Sequence, residues 1–198
     1  MALLLVIVTV SQQAYAAGKV MYKANVRGET AFASWLREDN GVFTSVFVYA
    51  DSVSNVVYVG IFQYTLEEVC DKYSCWEEQV PIMDFFGSKQ LSKDELKIAK
   101  NLRSAALNTT VAGYEFISGD EKIITIAVQW DGYGDVQKSR LHYMFRTDTY
   151  MVKINTQERF RSADASGSIA GDINMDLGSS DYARLSNVRV GIIEMVKL

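Results

Sequence analysis

From Val20 to Val196 the sequence is made of β-branched and aromatic runs of strand length, broken at short intervals by Gly, Asn, Asp and Ser. Side chains branched at Cβ pack well on a pleated surface, and the interrupting residues are those that turns require, so this texture restricts the chain to antiparallel sheet. The clearest case is Asp39-Asn40-Gly41 followed by Val42-Phe43-Thr44-Ser45-Val46-Phe47-Val48-Tyr49. Asn-Gly between two apolar runs specifies a hairpin, because both residues accept positive φ.

Similar runs occupy Val20–Val26, Thr30–Leu36, Val56–Tyr64, Leu102–Val111, Lys122–Trp130, Val136–Thr147, Tyr150–Phe160 and Ala183–Val196. Arg27-Gly28-Glu29 reads as a turn between the first two, and the Gly/Ser/Asp-rich stretch from Ser162 to Asp181 reads as a long connection. Val56–Tyr64 is apolar on both faces, as in a central strand. Pro81, the single proline, has no N–H to give to a ladder and marks an edge or a loop. Ser92-Lys93-Asp94-Glu95 has the form of a capping box and allows at most one short helix, near 92–101. Roughly nine or ten strands with turns between them predict a single-domain, all-β antiparallel sandwich of jelly-roll type.

The first residues, MALLLVIVTVSQQAYAAGKV, carry an apolar run to Val10 and then Ala14-Tyr15-Ala16. This is the small-x-small pattern of a secretory cleavage site, and the run is too short for a membrane span of ~20 residues. The expectation is a signal peptide over 1–16, a β-sandwich domain over 17–198, no transmembrane span, and a secreted or cell-surface location. The leader departs from the usual pattern in having no Lys or Arg before its apolar run.

With 20 basic and 24 acidic residues the chain has a net charge of −4, which argues against nucleic acid as a partner. The two cysteines, Cys70 and Cys75, are spaced for neither a redox C-x-x-C nor a zinc site; in an oxidising compartment they predict one short-loop disulfide.

The blocks Ala31–Trp35, Leu102–Val111, Trp130-Asp131-Gly132-Tyr133-Gly134-Asp135 and Arg161–Ser168 resemble a family of uncharacterised secreted prokaryotic β-rich proteins. The resemblance implies secretion and β structure, and it brings no known activity with it.

Catalytic groups are scarce. His142 is the only histidine, so a Ser-His-Asp hydrolase would have to use it, and there is no Gly-x-Ser-x-Gly elbow. Neither a Walker pattern nor Gly-x-Gly-x-x-Gly is present. Glu67-Glu68, Glu77-Glu78 and Asp84 crowd the cysteine loop and offer carboxylates for a glycosidase, or simply an acidic rim. Calcium is the one cofactor left open, with Asp131, Asp135, Asp172 and Asp176 in Gly/Asp turns as weak candidates; turns need those residues for backbone reasons as well. Around the same loop, Tyr73, Trp76 and Phe86 pair aromatic faces with carboxylates, the combination that grips sugars. The leading expectation is a non-enzymatic extracytoplasmic protein that binds a glycan or a cell-surface component. The alternatives are a secreted hydrolase and a self-assembling surface subunit.

Overall fold

The computed structural model describes residues 20–196 apart from 93 and 148; the expected leader over 1–16 lies outside them. Eleven strands follow one another: β1 (Val20–Asp39), β2 (Val42–Asp51), β3 (Val56–Cys70), β4 (Cys75–Gln90), β5 (Leu96–Ile98), β6 (Ser104–Glu115), β7 (Asp120–Gly132), β8 (Gln137–Arg146), β9 (Tyr150–Gly171), β10 (Met175–Ser179) and β11 (Tyr182–Val196). All pair antiparallel in a single sheet, as the sequence texture requires.

The sheet closes on itself. Neighbours run β9-β11-β1-β2-β3-β4-β6, and β7 joins β6 back to β9. The two layers expected of a sandwich are therefore halves of one wrapped sheet. Alternation puts Ala31, Ala33 and Trp35 of β1 inward, facing Val46 and Val48 of β2, Val57, Val59 and Ile61 of β3, and Ile124, Ile126, Val128 and Trp130 of β7. Trp130 Nε1 donates to Phe32 O at 3.0 Å and Trp35 Nε1 to Gly178 O at 3.2 Å, so both buried indoles keep a partner.

Asn40 and Gly41 have φ of 51° and 78°, the paired positive values of a two-residue hairpin turn. Three other expectations are corrected. Arg27-Gly28-Glu29 is no turn, because β1 runs straight through it; Val53 from the β2–β3 turn packs where a Cβ on Gly28 would stand. The small-residue stretch after Ser162 is strand as far as Gly171, since Ala163, Ala165 and Ile169 face the core while Gly167 lets the Ala127 carbonyl approach. Near 92–101 there is no helix among the described residues. The Glu95 carboxylate does accept the Ser92 N–H at 2.7 Å, as a capping box would, but the chain then enters β5 and pairs with β6.

Two arms leave the closed body. Residues 66–70 of β3 and 75–79 of β4 continue past the Asn40-Gly41 turn as a hairpin whose tip is closed by the Cys70–Cys75 disulfide. Pro81 lies at the base of this arm, opposite Tyr64 and beside a bulge, where β4 pairs with β3 alone, so the edge expected for a proline is what it occupies. At the other end, residues 20–29 of β1 pass the β2–β3 turn and form a four-stranded extension with β11, β9 and β8. β8 is one of its two edges, the other being residues 20–29 of β1, and is exposed along its whole length.

Candidate functional site

Because the core takes alternate residues, the remaining phase faces outward; on β2 and β3 that phase is largely aromatic, and Phe32 of β1 and Phe86 of β4 join it. Phe32 stands opposite Tyr49, Tyr49 opposite Tyr58, and Phe47 and Phe86 flank Gly60 from either side. The rings form a connected series: Tyr49 to Tyr58 at 6.3 Å, Tyr58 to Phe86 at 6.1 Å, and Phe86 to Phe47 at 6.4 Å between centroids. Gly60 makes room for this, since the Phe47 ring lies where its Cβ would be. Phe32 and Tyr182 form a second cluster at 5.8 Å, and Phe43 stacks on Tyr64 at 5.1 Å. Phe86 remains 42% and Tyr182 52% exposed, which is unusual for large rings on a face that already has neighbours to pack against.

Beside the rings is a hollow of about 290 Å³, lined by Phe32, Tyr49, Tyr182, Glu158, Arg184 and Ser186 among others. Glu158 and Arg184 form an ion pair, the Arg184 guanidinium lies 3.9 Å from the centroid of Phe160, and its Nε donates to Ser186 Oγ at 3.2 Å. Burial, helped by Asp51, Tyr58 and Glu158, pushes the Tyr49 hydroxyl up to about 12. It thus stays a neutral phenol that can both donate and accept. The hollow offers ring faces, a carboxylate acceptor, guanidinium donors and hydroxyls within one sheet surface.

The structure divides the three aromatic residues that the sequence groups together. Tyr73 and Trp76 lie at the hairpin tip and Phe86 at the body. Ten residues of extended chain separate Trp76 from Phe86, about 33 Å. Trp76 pairs with Val69 on the solvated arm, beyond the closed body, whereas Phe86 belongs to the outward series. Of the three, only Phe86 belongs to the ring series; Tyr49, Tyr58, Phe32, Tyr182, Glu158 and Arg184 were not singled out from sequence. Their signal was legible in part: on β2 and β3 the polar phase of the alternation is filled by Phe and Tyr, an anomaly for a two-faced strand.

Glu67 stands opposite Glu78 and Glu68 opposite Glu77 on the exposed hairpin arm. His142 sits on the β8 edge, hydrogen-bonded to Asn155. Asp172 accepts the Ile123 N–H of β7 at 2.7 Å and Asp176 the Gly178 N–H within β10 at 3.1 Å, so these two calcium candidates already have backbone donors; Asp131 and Asp135 are exposed. Among the described residues the one close group of potential ligands is Glu68, Cys70 and Cys75, and its cysteines are joined in the disulfide. No helix among those residues is long and apolar enough to cross a membrane.

Comparison of the chain with protein families, with curated proteins and with solved structures returns no match. The fold and the site define a closed all-β body with two arms and an aromatic outer face.

Proposed function

We propose that this chain is a non-enzymatic, extracytoplasmic binding protein that holds a glycan against its outer face at the Tyr49–Tyr58–Phe86 series and the adjoining hollow. The observation that carries this reading is the solvent-facing ring series on a rigid sheet with the Glu158–Arg184 pair beside it. Sugar rings present C–H groups to aromatic faces and hydroxyls to charged or phenolic partners, and both halves of that chemistry meet here. A disulfide at an exposed tip supports a location outside the reducing cytoplasm. The grouping of Tyr73, Trp76 and Phe86 as one site gives way to this one because the arm holds the first two apart from the third.

Glycan-array screening followed by titration calorimetry tests the reading. Tyr49→Ala and Phe86→Ala should each weaken binding about tenfold, corresponding to about 1.4 kcal/mol of lost stacking. Trp76→Ala should leave the affinity unchanged. Binding that is lost only with Trp76→Ala would move the site to the hairpin tip, and the absence of any bound glycan would remove the proposal.

A further inference from the structure

The two arms carry opposite charge, and each is in conflict with itself. On the hairpin, Glu67 directly faces Glu78 on one face and Glu68 directly faces Glu77 on the other, with Asp71 and Lys72 at the tip. On the four-stranded arm, Arg27 directly faces Arg189 and Lys138 directly faces Arg159, with Arg140 and Lys23 on the same face of the sheet. Like charges opposite one another across a ladder are destabilising. Among the described residues no ion pair relieves them: the pairs there are Lys89–Glu95, Lys122–Asp120 and Arg184–Glu158, none of which involves either arm's facing pairs, and Arg189 Nε donates at 3.0 Å to the neutral Asn25 side chain. The basic face also holds a hollow of about 230 Å³ between Lys23, Asn25, Asn155, Gln157 and Arg189, floored by Gly191. The arms leave opposite ends of the body, the hairpin beyond the Asn40-Gly41 turn and the basic arm beyond the β2–β3 turn.

We infer that the acidic hairpin of one copy docks on the basic arm of the next, so that the protein assembles head to tail. Charge complementarity selects a second copy as the occupant, because the same sequence supplies a hairpin that presents an anionic pair on either face and an arm whose two cationic pairs share one face. The two surfaces differ, so the contact is heterologous and propagates as an open chain unless its rotation closes a ring. The aromatic hollow takes no part.

Sedimentation velocity over a range of concentrations, in dilute buffer and in about 1 M NaCl where the screening length falls to about 3 Å, tests this. The wild-type chain should grow with concentration at low salt and dissociate at high salt. A hairpin variant (Glu67→Gln, Glu68→Gln, Glu77→Gln, Glu78→Gln) and an arm variant (Arg27→Gln, Arg189→Gln, Lys138→Gln) should each be monomeric alone, with circular dichroism confirming the fold. Mixed, they retain one intact interface and should stop at a 1:1 dimer, while glycan binding by either is unchanged. A wild-type chain that is monomeric throughout, or variants that still assemble, would overturn the inference. So would a monomeric wild type held on a heparin column through the arm cations, since the occupant would then be a free polyanion.

Discussion

At the residue scale, the described chain depends on a few buried polar contacts whose loss can be measured. Trp130 is fully buried and its indole N–H donates to Phe32 O across the barrel. Trp130→Ala leaves a cavity and removes that donor, so denaturant titration should show a loss of about 3–5 kcal/mol. Two carboxylates set the acid limit. Burial works to raise Glu115, but the N–H of Asp84, the hydroxyl and N–H of Ser118 and the N–H of Ile117 outweigh it and hold the group at about 2. The Lys89 ammonium, then the Ser92 N–H and the Thr109 hydroxyl, hold Glu95 at about 2 as well. Both values lie below the usual 4.5. Their contribution to stability is therefore complete above that value and is lost as pH falls from there toward 2. Acid titration of the folded state should show stability declining through this window, and Glu115→Gln should flatten the decline while lowering stability at neutral pH. An unchanged acid profile in that variant would refute the assignment. The Asn40-Gly41 hairpin was readable from two residues, since only their tolerance of positive φ is at stake. Glu115 was not, because its partners come from 84 and from 117–118 and meet only when β4 reaches β6.

At the scale of elements, local sequence and tertiary pairing disagree in two instructive places. Ser92 and Glu95 make the contact that opens helices, yet β6 offers 96–98 a ladder, and pairing overrides a nucleus with little apolar face behind it. The stretch from Ser162 to Gly171 reads as loop because Gly and Ser favour turns in isolation. In the fold, Gly167 is the position at which β7 comes close enough that a side chain would strike the Ala127 carbonyl. Gly167→Ala should cost about 1–3 kcal/mol of stability, as overpacking does, although alanine has the higher strand propensity. A neutral or stabilising result would mean that the strand continues for another reason. The disulfide arm behaves differently. A ring this short restricts the unfolded chain by about 2 kcal/mol at most, and the arm is solvated on both faces. Reducing Cys70–Cys75 should speed hydrogen exchange of the arm amides from 66 to 79 and leave exchange in the β1–β2–β3 body unchanged.

At the scale of the whole molecule, closure of the sheet is unequal around the ring. Strand texture and alternation made the all-β class and the core phase legible, but which strands meet at the seam depends on pairing between residues far apart in sequence. β1 joins β2 over ten residue pairs, from Thr30↔Asp51 to Asp39↔Val42, whereas β4 joins β6 through Phe85↔Glu115, Phe86↔Tyr114 and Gly87↔Gly113 alone. Two contacts extend this seam: Phe116 N–H to Asp84 O at 2.8 Å, and Asp84 N–H to the Glu115 carboxylate at 3.0 Å. Gly113 forms its last pair, with Gly87, where a Cβ would stand 2.6 Å from the Phe86 carbonyl and against the ring of Phe85, which is buried and cannot swing away. A short seam with few ladder bonds is where a closed sheet should open first, because local opening costs only the contacts that cross it. Native-state hydrogen exchange should therefore find the amides of 85–87 and 113–115 exchanging through a lower-energy opening than those of β2. Gly113→Ala should widen that difference by about 1–3 kcal/mol, because the backbone of β4 must retreat. It should also weaken glycan binding, since Phe86 is carried on the strand that moves. If the variant destabilises all amides equally, the seam is part of one cooperative unit and the ring opens nowhere in particular.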